Sequence, residues 1–541
     1  MLTSADDVIP STLPAPFWSV AALQQRHRRR DLVLAFLALL VTLAVALLVM
    51  VLPDSLLIGL SAIVLVPAVV VWLWHAPVRG VYVLFAAAIV QETTFPAVIY
   101  GDDLGARIPL FEDLASWTHV KGLSFTLAEL LMVFVLLIWL IKGIAYRTLR
   151  FDRGSLMRPL ALYSGMVLFA ELHGLSSGGD FRISLWEIRS QAYMLIAYVL
   201  ACNLINKRRA TDVLLWSLVV GAGIKGIQGT WRYYISLHGN LHSVETLFPH
   251  EQSFFFNAFL CYLPICLLYG GPPRLKKVML AFLPFVIIAS LANQRRAAIL
   301  ALCLAYFVIL VVTAVAQPAR RLVVLRIFGV LALILPPYYV YYSTKSGLLS
   351  EPARAISSAF SPDPRDASSN LYRVNEDKDI LATMKSSPIY GYGFGKPMNT
   401  PYSLADISTI YVFWNIMPHD SILWIWMRTG TIGFLFFWLL IGGAIVQATR
   451  LTVRLRDPCL KGFSLLILTV IVQEVVVGYL DLQWTNYRNL IVMGIVFAML
   501  GKLSTFDQST PPEERQRIKR KVAPYRWAIG TVGDARAKGR R

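Results

Sequence analysis

Apolar runs of about twenty residues recur along the chain, divided by short charged connections and one long polar interval. Leu32–Leu52 and Ala297–Ala316 are clear cases. About twenty apolar residues in helical form cross the hydrocarbon core of a bilayer. By this measure the runs predict about fourteen spans, at residues 31–52, 56–75, 78–99, 124–144, 159–176, 185–205, 211–237, 252–270, 275–292, 297–316, 322–342, 420–448, 460–480 and 487–503. Helices follow because they satisfy their own backbone hydrogen bonds in lipid. The expected fold is an all-α polytopic membrane protein. No sequence repeat of fixed period is present.

Composition agrees with the pattern. The 541 residues are 56% hydrophobic and 15% charged, where soluble domains carry about 25% charged residues. Arg26, Arg28, Arg29 and Arg30 precede the first run, which has no small-residue cleavage site after it, so it reads as a retained span. The five cysteines lie in or beside apolar runs, with neither CxxC pairing nor metal-ligand spacing.

The net charge of +19 is mostly topology rather than a nucleic-acid footprint. With Arg26–Arg30 on the cytoplasmic side, alternate connections fall inside and are basic: Arg147, Arg150 and Arg153; Lys207, Arg208 and Arg209; Arg320 and Arg321; Arg450, Arg454 and Arg456. Of the opposite connections, one carries Asp102, Asp103, Glu112 and Asp113, and the long interval 343–417 has seven Lys/Arg against seven Asp/Glu. This positive-inside pattern predicts an even span count with both termini cytoplasmic. The organisation expected is a cytoplasmic segment 1–30, a membrane domain 31–503 containing an external loop 343–418, and a basic tail 504–541 with ten Lys/Arg against four Asp/Glu. The tail reads as solvated or lipid-facing, and no nucleic-acid partner is expected.

A loop of that length is functional or disordered, and this one has ordered features. Ile380–Met384 reads as helix, Ser387-Pro388 as its stop, and Gly391-Tyr392-Gly393-Phe394-Gly395 as a tight turn or a backbone cradle for an anion. A small helical external subdomain is expected.

Three groups of residues carry candidate chemistry on the external side. His419 sits where the loop meets a span, and histidine titrates near pH ~6.5, so it can take a proton from a hydroxyl. Asp420 beside it is a partner or a helix cap. Arg189 lies inside an apolar run after Trp186 and Glu187, and Arg295 and Arg296 precede another span. Arginine at membrane depth is costly, and its planar fork suits phosphate oxygens. The bland alternatives are that Arg189 pairs with Glu187 or snorkels outward, and that Arg295 and Arg296 are interfacial anchors. Arg373 precedes the glycine-rich segment. His238, His242 and His250 do not make a metal motif, and no Walker A loop, GxSxG elbow or external DxD pair is present.

Together these segments resemble one family. Asn293-Gln294-Arg295-Arg296-Ala297-Ala298-Ile299-Leu300-Ala301-Leu302 is similar to the SRGA-x-LAL signature of the O-antigen ligase and polymerase family of bacterial membrane glycosyltransferases, with Arg295 for the usual serine and Ala297 for the usual glycine. Arg373 followed by Ser387–Gly395 resembles its R…hP-hxG-hG-x-G loop. His419-Asp420-Ser421-Ile422-Leu423 and then Gly430-Thr431-Ile432-Gly433 resemble its HN-x-hL…G-hhG element, with Asp420 where Asn is usual. Asn257 falls in a stretch similar to the family's asparagine-bearing span. The resemblance covers about residues 185–450.

The resemblance implies a GT-C-like architecture of about 12–14 transmembrane helices in the inner membrane, with a periplasmic site and no cofactor or metal. The donor would be a glycan on undecaprenyl diphosphate, and the acceptor a glycan or lipid A-core. It further implies that Arg189, Arg296 and Arg373 hold the diphosphate and His419 acts on the acceptor hydroxyl, with Arg295, Asp420 and Asn257 in support. Inversion at the anomeric carbon would follow. A flippase or polysaccharide transporter is the competing function. It is disfavoured by the lack of paired half-repeats with broken helices in corresponding positions. A structural scaffold would need neither His419 nor Arg296.

Overall fold

The computed structural model describes residues 67–92, 110–111, 113–114, 125–241, 246–345, 347–409 and 411–509. The segment 1–30, the expected span 31–52, most of 56–75 and the tail beyond 509 lie outside them.

The described chain is helical, and among its residues no strand occurs. Its helices are α1 (Pro67–His75), α2 (Val78–Val90), α3 (Leu127–Ala145), α4 (Met157–Ser176), α5 (Phe181–Leu204), α6 (Arg209–Trp231), α7 (His250–Tyr269), α8 (Pro273–Ala292), α9 (Arg296–Ala316), α10 (Arg321–Tyr342), α11 (Glu351–Phe360), α12 (Pro364–Met384), α13 (Ser421–Arg454), α14 (Pro458–Gly478) and α15 (Tyr487–Ser509). Among the described residues nine helices are long and apolar enough to cross a membrane, or ten if α1 and α2, which meet at 114°, form one broken span. The protein is a multi-pass membrane protein. Helices α4 and α5 have spanning length too, but bury Glu171, Glu187 and Arg189.

Burial orders the bundle. The richest apolar windows of α7 and α15 are each 83% buried and that of α14 78%, whereas that of α10 is 6% buried, its main contacts being with α9, α11 and the turn before it. Helix α15 packs along α5, α14 lies against α7, α9 and α13, and α4 flanks α13. Without a hydrophobic drive between helices in lipid, close packing at small residues supplies the association. Gly494 on α15 shows this: an added Cβ would stand 2.3 Å from the Met194 carbonyl of α5.

The expected span 420–448 is not one continuous helix. Gly430 has φ 67° and ψ −177°, which breaks α13 after Thr429. Such a conformation is open to glycine alone. The break is filled by the loop. Tyr392 N–H donates to the Met427 carbonyl at 2.7 Å and Gly393 N–H to that of Arg428 at 3.1 Å; Thr431 N–H donates to the Pro388 carbonyl at 2.9 Å. The groups freed by the broken helix are therefore paired with the loop strand that lies in the gap.

Candidate functional site

The subdomain in the long loop is built from α11 and α12. Asp363 caps α12, its side chain accepting from Asp366 N–H at 2.8 Å, and Pro364 follows at the first helical position. The helix ends at Met384, as expected from Ser387-Pro388. Gly391, Gly393 and Gly395 follow with φ of 86°, 81° and 81°. They serve close packing rather than an anion cradle. Their N–H groups go to the Ser387 carbonyl, the Arg428 carbonyl and the Glu187 carboxylate. A Cβ on Gly393 would meet Gly174 Cα of α4 at 2.5 Å, and one on Gly391 the Arg428 carbonyl oxygen at 2.3 Å.

Beneath this segment lies a fully buried ion pair. Arg428 Nε is 2.7 Å from Glu187 Oε1, and neither side chain is exposed. Trp424 Nε1 donates to the same carboxylate at 3.2 Å, and Arg428 donates to the carbonyls of Gly393 and Ile416, each at 2.9 Å. Glu187 is thus the partner of Arg428, not of Arg189.

His419 lies just before α13 and faces α12. Glu376, its side chain 1% exposed, accepts the His419 backbone N–H at 2.9 Å and holds Nδ1 at 3.1 Å from both carboxylate oxygens. A carboxylate only accepts, so Nδ1 carries the proton and Nε2 of the neutral ring keeps its lone pair. The imidazole is 23% exposed, and the Tyr372 ring stands edge-on to it at 5.9 Å. Burial alone would lower the pKa of His419; the bonded Glu376 carboxylate, helped by Asp481, outweighs burial and Arg373 and raises it. The Tyr372 hydroxyl is buried without a hydrogen-bond partner.

Arg373, Glu376, Asp377 and Ile380 form a stripe on one face of α12. Arg373 is half-buried and makes no ion pair or hydrogen bond among the described residues, yet its charge reaches Asp377, His419 and Asp481. Burial first, then Glu376, push the Asp377 carboxyl up to about 6 against the pull of Arg373 and His419. Asp420 caps α13, accepting from Ile422 N–H at 3.0 Å and Leu423 N–H at 2.8 Å. Its burial outweighs these bonds, and it rises to about 7, with Asp377 and Glu376 adding to the rise.

Asp481, between α14 and α15, completes the cluster from the bundle side. It is paired with His250. Burial would raise it, but His250, Arg295 and Arg373 hold it well below the usual carboxylate range. Arg295 reaches this region through a turn in which Asn293 is anchored to Thr246, Phe248 N–H and Ser253 and Gln294 is left-handed, with φ 52°. Asn257 on α7 supports the same turn, donating to the Ala298 carbonyl at 2.7 Å.

The other two arginines are engaged. Arg296 pairs with Asp366 at 3.0 Å and donates to Ser358 at 3.2 Å, so it ties α9 to the subdomain while 32% exposed. Arg189 pairs with Asp113 at 3.0 Å and Glu129 at 3.1 Å and lies over the Trp186 ring at 4.3 Å. The structure therefore gathers His419, Arg373, Asp420 and Arg295 around Glu376, Asp377 and Asp481. It sets Arg296 about two turns along α12 from Arg373, beside Asp366. Among the described residues no three His, Cys, Asp or Glu side chains converge as metal ligands.

Sequence reading missed Glu376, Asp377, Asp481 and the pairing of His250. The 373/376/377/380 spacing on α12 was the available signal for the first two. For Asp481 and His250 there was none, since they meet across the bundle.

A broken helix with a loop threaded through it, and a histidine–carboxylate pair beside an arginine that makes no ion pair among the described residues, mark a polytopic membrane protein with a candidate site where the loop meets the bundle. Residues 279–438 match the family model described as O-Antigen ligase. Over those residues the chain is similar to the O-antigen ligase family. It runs from α8 through the break in α13 and so includes Arg295, Arg296, Arg373, Glu376 and His419. No curated protein matches the chain. The family indicates activity of the O-antigen ligase or polymerase type in general, with a lipid-linked glycan and an acceptor as substrates.

Proposed function

We propose that the protein is a metal-independent, inverting glycosyltransferase of the inner membrane. It would move a glycan from undecaprenyl diphosphate to an acceptor sugar hydroxyl at the periplasmic face, with both termini cytoplasmic. One observation carries the reading. The free nitrogen of His419, fixed by buried Glu376, lies in the same cluster as Arg373, a cation with no carboxylate bound to it.

The acceptor hydroxyl gives its proton to His419 Nε2 as its oxygen bonds to the anomeric carbon. The bond from that carbon to the diphosphate oxygen breaks, and the electron pair leaves with undecaprenyl diphosphate. Attack opposite the leaving group inverts the centre. A positioned base supplies typically 10²–10⁴-fold. Arg373 meets the developing negative charge in a water-poor setting, where such stabilisation is large. Arg296 joins it by exchanging Asp366 for phosphate oxygens. Arg189 is already neutralised by two carboxylates, so its part in holding the diphosphate requires their displacement.

The test is transfer by His419→Ala and Arg373→Lys in membranes supplied with a lipid-linked donor. His419→Ala should lose at least about 100-fold. Arg373→Lys keeps charge but loses the bidentate fork, and should impair donor use more than acceptor use. Near-normal transfer by His419→Ala would overturn the mechanism. We read the protein as a polymerase or general lipid-linked glycan transferase before a ligase, because no lipid A-core site stands out. Deletion separates them: single repeat units on the core mark a polymerase, and untransferred lipid-linked polymer marks a ligase.

A further inference from the structure

At the far end of α13 from His419, an open cavity of about 550 Å³ lies between the last turns of α13 and α15. Arg450, Arg454 and Arg456 line it, with Gln447, Ser504 and Asp507. Basic residues at a helix C-terminus and a cytoplasmic boundary are common, and alone they would mean topology only. Two features go further.

Among the described residues the arginines of the lining outnumber its acids. None of the three makes an ion pair or side-chain hydrogen bond among the described residues. One acid, Asp507, shares the lining and accepts the backbone N–H groups of Arg456 and Asp457, so three arginines face one carboxylate there, and Asp457 is bound to Arg208 at 2.5 Å. A concave site with three free guanidinium groups matches a phosphate-bearing anion.

The second feature selects the source. Val446, Arg450, Val453 and Arg454 share one face of α13, and both valines are exposed, at 48% and 40%. An apolar stripe thus runs from the arginines toward the hydrocarbon. A lipid would place its headgroup in the cavity and its acyl chains along the valines; a soluble phosphate would use only the arginines.

We propose that this cavity binds the phosphodiester headgroup of an anionic phospholipid, at the membrane boundary opposite the His419 site. The experiment uses the full-length protein in mixed micelles with fluorescent phosphatidylglycerol or phosphatidylcholine. Preference for phosphatidylglycerol is expected. Each Arg→Gln change at 450, 454 and 456 should weaken it about fivefold, and the triple variant about 100-fold. The triple Arg→Lys variant keeps the charge and should retain affinity within about fivefold; loss equal to that of the glutamine triple would point to packing and overturn the proposal. Arg320→Gln/Arg321→Gln, also basic but outside the cavity, should leave binding unchanged; an equal loss there would reduce the effect to general surface charge. Equal binding of the two lipids, or displacement by inorganic phosphate, would also overturn the lipid assignment.

Discussion

Glu376→Gln removes the carboxylate that holds His419, and with it a charge that also raises Asp377 and Asp420. The wild-type carboxylate accepts two hydrogen bonds from one residue, the backbone N–H at 2.9 Å and the ring Nδ1–H at 3.1 Å. Glutamine fits the same volume but offers one oxygen. If that oxygen keeps the backbone N–H, its NH₂ faces Nδ1 and favours the other tautomer, which takes the lone pair from Nε2. A hydrogen bond to a charged group contributes about 1.5–3 kcal/mol. Converted to a barrier, that is about a 10- to 150-fold loss in transfer rate.

The sign of the pH effect is also set. Glu376 is the main reason the pKa of His419 is raised, while burial, which lowers it, remains in the variant. The acid limb of the pH–rate profile should therefore move down, even as the maximum rate falls. The assay is transfer to a labelled acceptor in proteoliposomes across pH ~5–9, with melting temperature as the fold control. A Glu376→Gln enzyme with an unchanged acid limb and wild-type rate would refute the orientation of His419 by Glu376.

Three further outcomes follow. His419, Asp377 and Asp420 bind protons more tightly folded than unfolded, so the stability each contributes is lost as pH rises through its folded value, about 6 for Asp377 and about 7 for Asp420. Asp481 is depressed, so its contribution is lost only as pH falls below the usual carboxylate range. The melting temperature should therefore drop between pH ~5.5 and ~8, less steeply in Asp420→Asn; a rise would contradict the burial of these acids. Gly430→Ala places a Cβ 2.3 Å from both Gly391 N and the Ile389 carbonyl oxygen and should cost more than about 3 kcal/mol, seen as lost folded yield, whereas Gly442→Ala meets nothing within 4 Å and should be near neutral. Glu187→Gln and Arg428→Met should each destabilise by about 3–5 kcal/mol, and the double variant by clearly less than their sum, as measured by thermal unfolding.

What the sequence made legible follows from period and charge. Apolar runs of spanning length located the helices, and the stop at Ser387-Pro388 located the end of α12. The break in α13 was hidden, because Gly430 in an apolar run reads as a tolerated helical glycine. Only the loop that fills the gap makes a broken helix favourable there. Arg189 was legible as a costly charge but not its partners, since Asp113 and Glu129 come from another part of the chain. Asp420 had two readings from sequence, and its hydrogen bonds to Ile422 and Leu423 are those of a cap.

The distribution of charge around His419 bears on which substrate lies where. Glu376 and Asp481 act on His419, Asp377 and Asp420 lie close enough to Glu376 to feel its charge, and Arg373 shares a helix face with Glu376 and Asp377. A diphosphate placed among four acids would be repelled unless they took up protons. Placed toward Arg373 and Arg296 it meets cations instead, one of them unpaired and the other held only by Asp366. Carboxylates suit the other task, since they accept hydrogen bonds from sugar hydroxyls and hold them in a fixed orientation. Under the proposed mechanism the donor would sit between α9 and the first half of α12. Under the same mechanism the acceptor would lie against Asp377 and the Tyr372 hydroxyl, which is buried and has no hydrogen-bond partner among the described residues. Tyr372→Phe should accordingly raise the KM for acceptor while leaving that for donor unchanged, and a shift confined to the donor would reverse the assignment.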